Sequence, residues 1–292
     1  MFYEPATTLS HNCFLNFVMS NRVGGKTYST LDYVRNKFEA TGDQFIWVRR
    51  TQIELDLIKK NMFHALINDG RCQPGEYKVN KNDITRKLES GLEIDAGGLL
   101  ALSKATQFKS IAFPKVKYIV FDEFIDERRR YLKNEVNLLL SIIESVARMR
   151  DIKVILLANS ITKYNPYFDF FNIEYNPDRE FQKDKKRSIL IHHWKSKEYT
   201  EAKKKTTFAK MLEGTKYGAF MFENENILDN DDFIKNIKVR SKTPILSFIF
   251  EREGFTCWYV ETKPHDLLYI TKGENKNAAR IVNFDEEMKE NY

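Results

Sequence analysis

The chain has 292 residues, of which 42% are hydrophobic and 30% are charged, and its formal net charge at pH 7 is +6. This length suits two domains with a substantial core, and the positive charge permits a polyanionic partner. No apolar run approaches the about 20 residues of a membrane-spanning helix, and the first residues lack a signal-peptide layout, so we expect no membrane partner. Three scattered cysteines without metal-ligand spacing predict reduced thiols in a cytosolic setting.

The first half of the chain alternates short apolar runs with longer amphipathic segments. The apolar runs predict buried strands over residues 14–19, 44–48, 118–121 and 154–158. Helical segments are predicted over residues 28–38 and 134–148. The glycines at 97 and 98 indicate a hairpin between residues 92–94 and 99–102. We therefore predict an α/β fold with a mostly parallel sheet.

The second half begins with a change of composition after residue 177. A basic run follows at residues 183–187, then a predicted strand at 188–193 and a very basic predicted helix at 198–212. Strand-like runs continue at 217–222, 245–250, 255–260 and 267–270. The predicted organisation is an α/β domain over 1–180, a basic connector over 181–214 and a smaller α+β domain over 215–292.

Residues 20–27, with the sequence SNRVGGKT, lie between the first predicted strand and the first predicted helix. A strand, a glycine-rich turn, Lys-Thr and a helix form the Walker A layout, in which backbone N–H groups and the helix N-terminus bind phosphate. We expect Lys26 to reach the terminal phosphates of ATP and the Thr27 hydroxyl to bind Mg²⁺. The usual first glycine of the loop is Ser20 here. The predicted nucleotide-binding residues are Arg22, Val23, Gly24, Gly25, Lys26, Thr27 and Tyr28.

Two acids follow the predicted strand at 118–121 and supply the second half of a nucleotide site. Asp122 is expected to hold Mg²⁺ together with Thr27, and Glu123 to orient and polarise the attacking water. The carboxyl end of a parallel strand places both acids in the crevice where such sheets bind ligands. Asn159 ends the next strand, where it is either a turn residue or a sensor of the γ-phosphate and the water. This order inserts an additional strand between the two motif strands.

Arg148 and Arg150 close the helix that precedes the last of these strands. Arginines in a last helical turn are favoured by the helix dipole, which is one interpretation. The other is an arginine finger that enters a neighbouring subunit's site and offsets charge in the transition state. Arg22, in the phosphate loop, is an alternative that acts within its own site.

The pattern resembles the DNA-packaging motor ATPases of small short-tailed bacteriophages with protein-primed linear genomes. The stretches that carry the resemblance are LNFV at 15–18, QFIWVRR at 44–50, IVFDEF at 119–124, NEV at 134–136, NPYF at 165–168, KKTTF at 204–208 and LEGTKYG at 212–218. The resemblance covers most of the chain and weakens after residue 222. It implies an additional-strand, catalytic-glutamate ATPase that matches the Walker positions at Lys26, Thr27, Asp122 and Glu123 and the trans-acting finger at Arg148.

The resemblance also implies partners and a location. Subunits of such motors form a homomeric ring, expected to be a pentamer, at the portal vertex of a procapsid in the host cytoplasm, and drive double-stranded DNA through the ring. The C-terminal domain would resemble a ribonuclease-H-type nuclease that has lost its metal-binding acids. In some members that domain contacts a structural RNA.

A packaging motor grips DNA of any sequence, so we expect phosphate contacts rather than base contacts. The predicted DNA-binding residues are Lys59, Lys60 and Lys104, each of which is otherwise a solvated surface lysine. Arg49 and Arg50 end the strand before them and are expected to couple the nucleotide to the DNA. We predict no nuclease activity, because the acids at 229, 231, 232 and 266 read as solvated residues. His192 and His193 have no partner at metal spacing.

Two other functions compete with the packaging motor. A helicase or partition-type ATPase would unwind duplexes, or hydrolyse ATP in response to DNA without any portal. A nucleotide-gated adaptor would bind ATP and barely turn it over, and Glu123 argues against it because a binding module has no need to orient water.

Overall fold

The computed structural model describes residues 2–20, 24–108, 112–126, 130–159, 165–212, 214–215, 241–250, 253–261, 267–273 and 280–283. The chain divides into two compact units, residues 1–229 and 230–292. The described strands of the first unit are β1 Leu15–Ser20, β2 Gln44–Arg49, β3 Tyr77–Asn80, β4 Asp83–Lys87, β5 Glu93–Ala101, β6 Val116–Asp122, β7 Lys153–Asn159, β8 Phe181–Asp184 and β9 Ile189–His193. Its described helices are α1 Pro5–Leu9, α2 Lys26–Thr41, α3 Gln52–Lys59, α4 His64–Asn68, a 3₁₀ helix Leu102–Phe108, α5 Glu135–Ala147, α6 Pro166–Phe170, α7 Lys197–Lys204 and α8 Thr207–Met211.

The strands of the first unit form one sheet in the order β3-β4-β5-β2-β6-β7-β1-β9-β8. The central strands from β5 to β9 pair in parallel, and the antiparallel pairs lie at the two edges. Strand β7 stands between β1 and β6, so the predicted additional strand is confirmed. The four apolar runs of the first half are strands, and the two helices predicted there are α2 and α5.

Alternate side chains of each central strand enter two separate apolar clusters, because successive residues of a strand point to opposite faces. Phe17 joins the cluster under α5, and Val18 joins the cluster under α2 and α3. Both faces of the sheet are thus covered, which explains why β1 and β2 are buried along their whole length. The polar residues that end these strands lie together at the carboxyl ends of the parallel strands.

The predicted hairpin between residues 92–94 and 99–102 is wrong, since strand β5 continues through both glycines. Gly97 has φ of +133° and pairs with Phe45 of the parallel strand β2. A Cβ atom on Gly97 would lie 1.8 Å from the Phe45 carbonyl oxygen. The glycine therefore permits a close approach of two backbones beside an irregularity in the β4–β5 register, and does not form a turn.

The predicted boundary at residue 180 differs from the structure as well. Strand β9 is the predicted strand 188–193, and it pairs in parallel with β1, while β8 pairs with β9 at the edge of the same sheet. Residues 181–193 are thus part of the first unit and not of a connector. The helix predicted over 198–212 is two helices, because the Thr206 side chain caps a new helix, α8.

The described part of the second unit is a sheet of β10 Ser241–Phe250, β11 Glu253–Glu261, β12 Leu267–Lys272 and β13 Arg280–Asn283. Its order is β12-β11-β10-β13, with the first two pairs antiparallel and β13 parallel to β10. The strand-like runs at 245–250, 255–260 and 267–270 are confirmed, and the run at 217–222 lies outside the described residues. Within the described residues, no helix has both the length and the apolar character needed to cross a membrane.

Candidate nucleotide-hydrolysis site

The phosphate loop connects β1 with α2 at the carboxyl edge of the parallel strands. Helix α2 begins at Lys26, directly after Gly25, whose backbone is left-handed with φ of +75°. The left-handed conformation favours glycine, and a Cβ atom on Gly25 would lie 2.8 Å from Phe2 Cδ1, so a larger residue would also displace the Phe2 ring. The N-terminus of α2 therefore faces the cleft as a site for anions. Two predicted contact residues, Arg22 and Val23, lie outside the described part of the chain.

Lys26 is buried at the centre of the loop. Its Nζ donates a hydrogen bond to Ser20 Oγ at 2.6 Å and to Asn159 Oδ1 at 3.3 Å. Burial lowers the pKa of Lys26 to about 8, against the opposing effect of the nearby Asp122 and Glu123 carboxylates. Ser20, which stands where the usual first loop glycine would be, is thus a hydrogen-bond partner of Lys26. Asn159 Oδ1 lies beside the same ammonium group.

Thr27 and Asp122 meet across the cleft, as the two motifs predict. Thr27 Oγ1 donates to Asp122 Oδ1 at 3.1 Å. Asp122 is 3% exposed, and burial raises the pKa of its carboxyl group, while the adjacent Arg49 lowers it. A hydroxyl and a carboxylate are hard oxygen ligands of the type that Mg²⁺ prefers, and this donor set fits the ion.

Glu123 stands at the mouth of the cleft on an unusual backbone. Its φ is +64°, and its N–H donates to the Leu157 carbonyl oxygen of β7 at 2.8 Å. A left-handed glutamate costs on the order of 1–2 kcal/mol, and such strain is concentrated at functional sites. Arg49 bridges the two acids, with Nη1 2.7 Å from Glu123 Oε2 and Nη2 3.0 Å from Asp122 Oδ2. The side chain of Glu123 is 62% exposed, so it can meet a water in the cleft.

Arg50 points to the opposite face of the sheet from Arg49, and it contacts the backbone of Glu123 instead of its carboxylate. Its guanidinium binds both carboxylate oxygens of the buried Glu135, at 2.9 and 3.0 Å, and donates to the carbonyl oxygens of Glu123 and Phe124. Tyr167 Oη donates to Glu135 at 2.7 Å. Glu135 begins α5, so this network joins the strained backbone of Glu123 to that helix.

Arg148 and Arg150 have different surroundings at the other end of α5. The guanidinium of Arg150 donates to four backbone carbonyl oxygens, those of Phe113, Pro114, Val146 and Val116. Arg148 is exposed on a backbone with φ of +48°, and its side chain has no hydrogen-bond partner among the described residues. Helix α5 spans 13 residues, or about 20 Å, and runs from the carboxyl end of β6 to the amino end of β7. Arg148 therefore lies near the amino ends of the parallel strands, whereas its own phosphate loop lies at their carboxyl ends.

The predicted DNA-binding lysines lie beyond the nucleotide cleft on the same edge of the sheet. Helix α3 and the 3₁₀ helix follow the ends of β2 and β5, and they carry Lys59 and Lys104 to the vicinity of Asp56. Lys59 Nζ is 2.6 Å from Asp56 Oδ1. Lys59 and Lys60 line an open groove of about 550 Å³ together with Lys78.

The histidines and acids considered for a nuclease-type metal centre are distinct from the Thr27–Asp122 pair. In the described part of the chain, no group of three histidine, cysteine or acidic residues occurs with metal-binding geometry. His192 and His193 are buried in β9, where Nδ1 of each lies within 2.8 Å of Thr8 Oγ1 and Tyr175 Oη, respectively. Burial lowers the pKa of both histidines to about 4, so they are neutral. Asp229, Asp231, Asp232 and Asp266 lie outside the described residues.

The structure adds two aromatic residues to the loop that sequence patterns do not indicate. Trp194, directly after β9, packs so closely on Gly24 that a Cβ atom there would lie 2.5 Å from Trp194 Cζ3. Phe2, which precedes α1, packs on Gly25. Trp194 could have been identified if the predicted strand at 188–193 had been known to pair with β1, but no local sequence pattern indicates Phe2. An open cleft of about 350 Å³ is lined by Phe2, Gly24, Gly25, Lys26, Thr27, Tyr28, Asp122, Glu123 and Asn159.

Comparisons with known sequences place this chain in a family of phage proteins. The model of the family "Podovirus DNA encapsidation protein (Gp16)" matches residues 1–292. The DNA packaging protein of Bacillus phage phi29 is 33% identical over 284 residues, which cover 96% of this chain and 82% of that protein. The DNA packaging protein of Bacillus phage B103 is 33% identical over 276 residues, with coverages of 94% and 82%.

Solved structures agree with the sequence comparison. The N-terminal domain of the DNA packaging ATPase from bacteriophage phi29 has a TM-score of 0.59 and 33% identity, and the match covers 68% of this chain and 98% of that domain. A chain of the bacteriophage Phi-29 viral genome packaging motor assembly has a TM-score of 0.65 and 28% identity, with coverages of 99% and 90%. The chain therefore belongs to the Podovirus DNA encapsidation protein (Gp16) family.

Proposed function

We propose that this chain is the ATP-hydrolysing subunit of a phage motor that moves double-stranded DNA into a procapsid. The observation that carries the proposal is the pair of acids at the end of β6. Asp122 is bonded to Thr27 of the phosphate loop, and the adjacent Glu123 stands exposed over the same cleft. A site that only bound nucleotide would have no use for a strained carboxylate beside the phosphates.

Each side chain of the cleft has a chemical role in this proposal. Lys26 and the N-terminus of α2 hold the terminal phosphates, and Glu123 orients the attacking water and polarises it. Asn159 reports the γ-phosphate through its contact with Lys26. Thr27 and Asp122 hold Mg²⁺, which neutralises charge on the phosphates when it is bound. Arg49 positions both acids. It ends β2, directly before the segment that carries Lys59 and Lys60, so it couples the nucleotide to the DNA contacts. Lys59, Lys60 and Lys104 contact DNA phosphates.

Arg148 completes the site of a neighbouring subunit in a homomeric ring. Three features support this role: its exposed side chain, its place at the end of α5 remote from Glu135, and its unfavourable backbone conformation. Arg150 lies at the same end of the helix, but its guanidinium donates to backbone carbonyl oxygens and is not available to a neighbouring subunit. An arginine supplied in trans makes turnover depend on assembly.

The proposed ring is a pentamer that acts in the host cytoplasm and docks transiently on the portal vertex of the procapsid. Helicase or partition-type activity is not favoured, because the matched family is one of DNA encapsidation. In the second unit, three antiparallel strands followed by a strand parallel to the first are compatible with a ribonuclease-H-type fold. We propose that this unit lacks nuclease activity and contacts other motor components, with a structural RNA as one candidate.

A mixing experiment tests the shared site. Arg148→Ala and Lys26→Ala are each expected to abolish ATP hydrolysis alone, and mixed rings at fixed total concentration are expected to recover activity, since some interfaces then join two intact halves. Met149→Ala, which alters the fully exposed neighbour of Arg148, is the matched control and keeps wild-type turnover. Mixed rings that form and stay inactive would refute the role of Arg148 in trans.

Binding and cleavage assays test the DNA proposals. Affinity for duplex DNA should fall steeply with salt and ignore sequence, as phosphate contacts require. A sequence-selective footprint would contradict this. Cleavage of supercoiled plasmid with Mn²⁺ would contradict the absence of nuclease activity if alanine at 229, 231, 232 and 266 abolished it.

A further inference from the structure

A second cavity adjoins the phosphate loop on the side away from the catalytic acids. It has a volume of about 400 Å³ and is open to solvent. Phe2 lines both this cavity and the phosphate cleft, so the two spaces adjoin at this one side chain. A ligand anchored by its phosphates at Lys26 can therefore extend past Phe2 into the second cavity.

The sheet topology explains why this cavity lies within reach of a bound nucleotide. Strand β9 is parallel to β1 and pairs with it on the side opposite β7. The residues that follow β9, from Trp194 to Glu198, consequently emerge at the same edge as the phosphate loop. Asp122 and Glu123 emerge on the other side of β1. The phosphate loop is thus flanked by a hydrolytic side and by the side that holds this cavity.

Two aromatic rings are fixed against the glycines of the loop at this place. Phe2 packs on Gly25, and Trp194 packs on Gly24. The backbone positions both residues, since Tyr3 N–H donates to the Gly24 carbonyl oxygen at 3.1 Å and Trp194 N–H donates to the Met19 carbonyl oxygen at 2.8 Å. Phe2 remains 57% exposed and Trp194 is half-buried, so ring surface is available for stacking.

The charges of the cavity exclude an anionic occupant. Glu4, Glu180 and Glu198 line it, against a single cation, Lys195, whose Nζ donates to the Pro177 carbonyl oxygen at 2.7 Å. A second phosphate group or a DNA backbone would be repelled there. A neutral planar group with N–H donors fits, because its face can stack on the rings and its edge can donate to the carboxylates.

We propose that this cavity binds the nucleobase of ATP, with the base stacked on Phe2 and Trp194 and its exocyclic amino group directed to the carboxylates. The inference rests on the proposed function, since the phosphates must lie at Lys26. Base–aromatic stacking changes affinity by roughly tenfold per ring in nucleic-acid sites, and the same order is expected here. Phe2 and Trp194 are then binding residues, and they take no part in the chemical step.

Competition between ATP and inorganic tripolyphosphate, each with Mg²⁺, tests the proposal, because only ATP carries a base. Phe2→Ala is expected to weaken ATP binding about tenfold and to leave tripolyphosphate affinity within about twofold. Phe170→Ala, which removes another exposed ring far from the loop in sequence, is the matched control and changes neither affinity. An equal loss for both ligands would overturn the proposal, since Phe2 would then act on the loop itself.

The fluorescence of Trp194 gives a second readout that does not depend on affinity. ATP is expected to quench it and tripolyphosphate is not, and Trp194→Phe is expected to lose the quenching while it retains ATP binding within about threefold. Equal quenching by both ligands would contradict base stacking. Failure of the wild-type protein to bind either ligand would refute the proposed function itself, which is a different outcome from the loss of base discrimination.

Discussion

The two sides of the phosphate loop differ in charge, burial and backbone strain. On the β6 and β7 side, buried or paired charges surround the cleft, and Glu123 has a left-handed backbone. On the β9 side, aromatic rings and exposed carboxylates surround an open cavity, and no described residue from 194 to 198 has a positive φ. Of the two sides, the one with Glu123 thus combines backbone strain with desolvated charge, as expected of a site of hydrolysis.

This difference has an energetic reason. Charges taken out of water are costly, and they persist only where fixed partners compensate them, as Arg49 and Arg50 do. Such fixed charges do not have to reorganise when charge develops during reaction, which favours catalysis. A binding surface has no such requirement, and aromatic rings supply its affinity at a small entropic cost. We therefore expect substitutions on the β6 and β7 side to change turnover, and substitutions on the β9 side to change nucleotide affinity.

The largest expected effect follows from Glu123→Gln on the hydrolytic side. Because glutamine cannot take the proton of the water, turnover should fall by about 10³-fold, while the dissociation constant for ATP changes by less than about threefold. Steady-state ATPase assays and calorimetric titration measure the two quantities. Glu89→Gln, which changes an exposed glutamate remote from the cleft, is the control. Unaltered turnover would contradict the assignment of hydrolysis to the β6 and β7 side of the phosphate loop.

Arg50→Met tests the support beneath the hydrolytic side. The substitution leaves the buried Glu135 carboxylate without its cation, so the free energy of unfolding should drop by about 3–5 kcal/mol. The double variant Arg50→Met with Glu135→Leu should recover a large part of this loss, because no buried charge remains. Urea denaturation of the wild type, Arg50→Met, Glu135→Leu and the double variant measures the coupling, and simple additivity would show that the ion pair is not the cause.

Lys26 lies between the two sides and titrates in an accessible range. Its pKa is about 8 in the free protein, and phosphate charge raises this pKa in the complex. ATP affinity is therefore full below pH 8 and is lost as the pH rises through 8, by up to about tenfold per pH unit. Calorimetry in buffers of different ionisation enthalpy should detect proton uptake at pH 9. Lys26→Met should show none, and uptake that persists in this variant would assign the proton to another group.

The smallest effect concerns the strain at residue 123. Glu123→Gly and Glu123→Gln both remove the carboxylate, but only glycine relieves the left-handed conformation. The glycine variant should be more stable than the glutamine variant by about 0.5–1 kcal/mol, after allowance for the greater freedom of glycine in the unfolded chain. Thermal denaturation compares the two. Equal stability would indicate that the hydrogen bond to Leu157, and not the side chain, sets the strain.

Local patterns in the sequence were sufficient for most of the hydrolytic side. Apolar runs of strand length, a glycine-rich turn before Lys26 and the acids after β6 each occupy a few consecutive residues, so their signals survive without knowledge of the fold. Gly97 shows the limit of such signals: a glycine pair resembles a turn until the neighbouring strand is known. Ser20 resembled a defect of the loop, and its role as a partner of Lys26 required the position of both atoms.

The sequence alone was therefore sufficient to predict a phosphate loop and a pair of acids at a strand end, because turn chemistry and strand periodicity are properties of adjacent residues. The tertiary structure decided which strands are neighbours. Strand β9 pairs with β1 across more than half of the chain, and this pairing brings Trp194 to the phosphate loop. Burial of both sheet faces selects such neighbours, and it depends on residues far apart in sequence, so no local pattern reveals it.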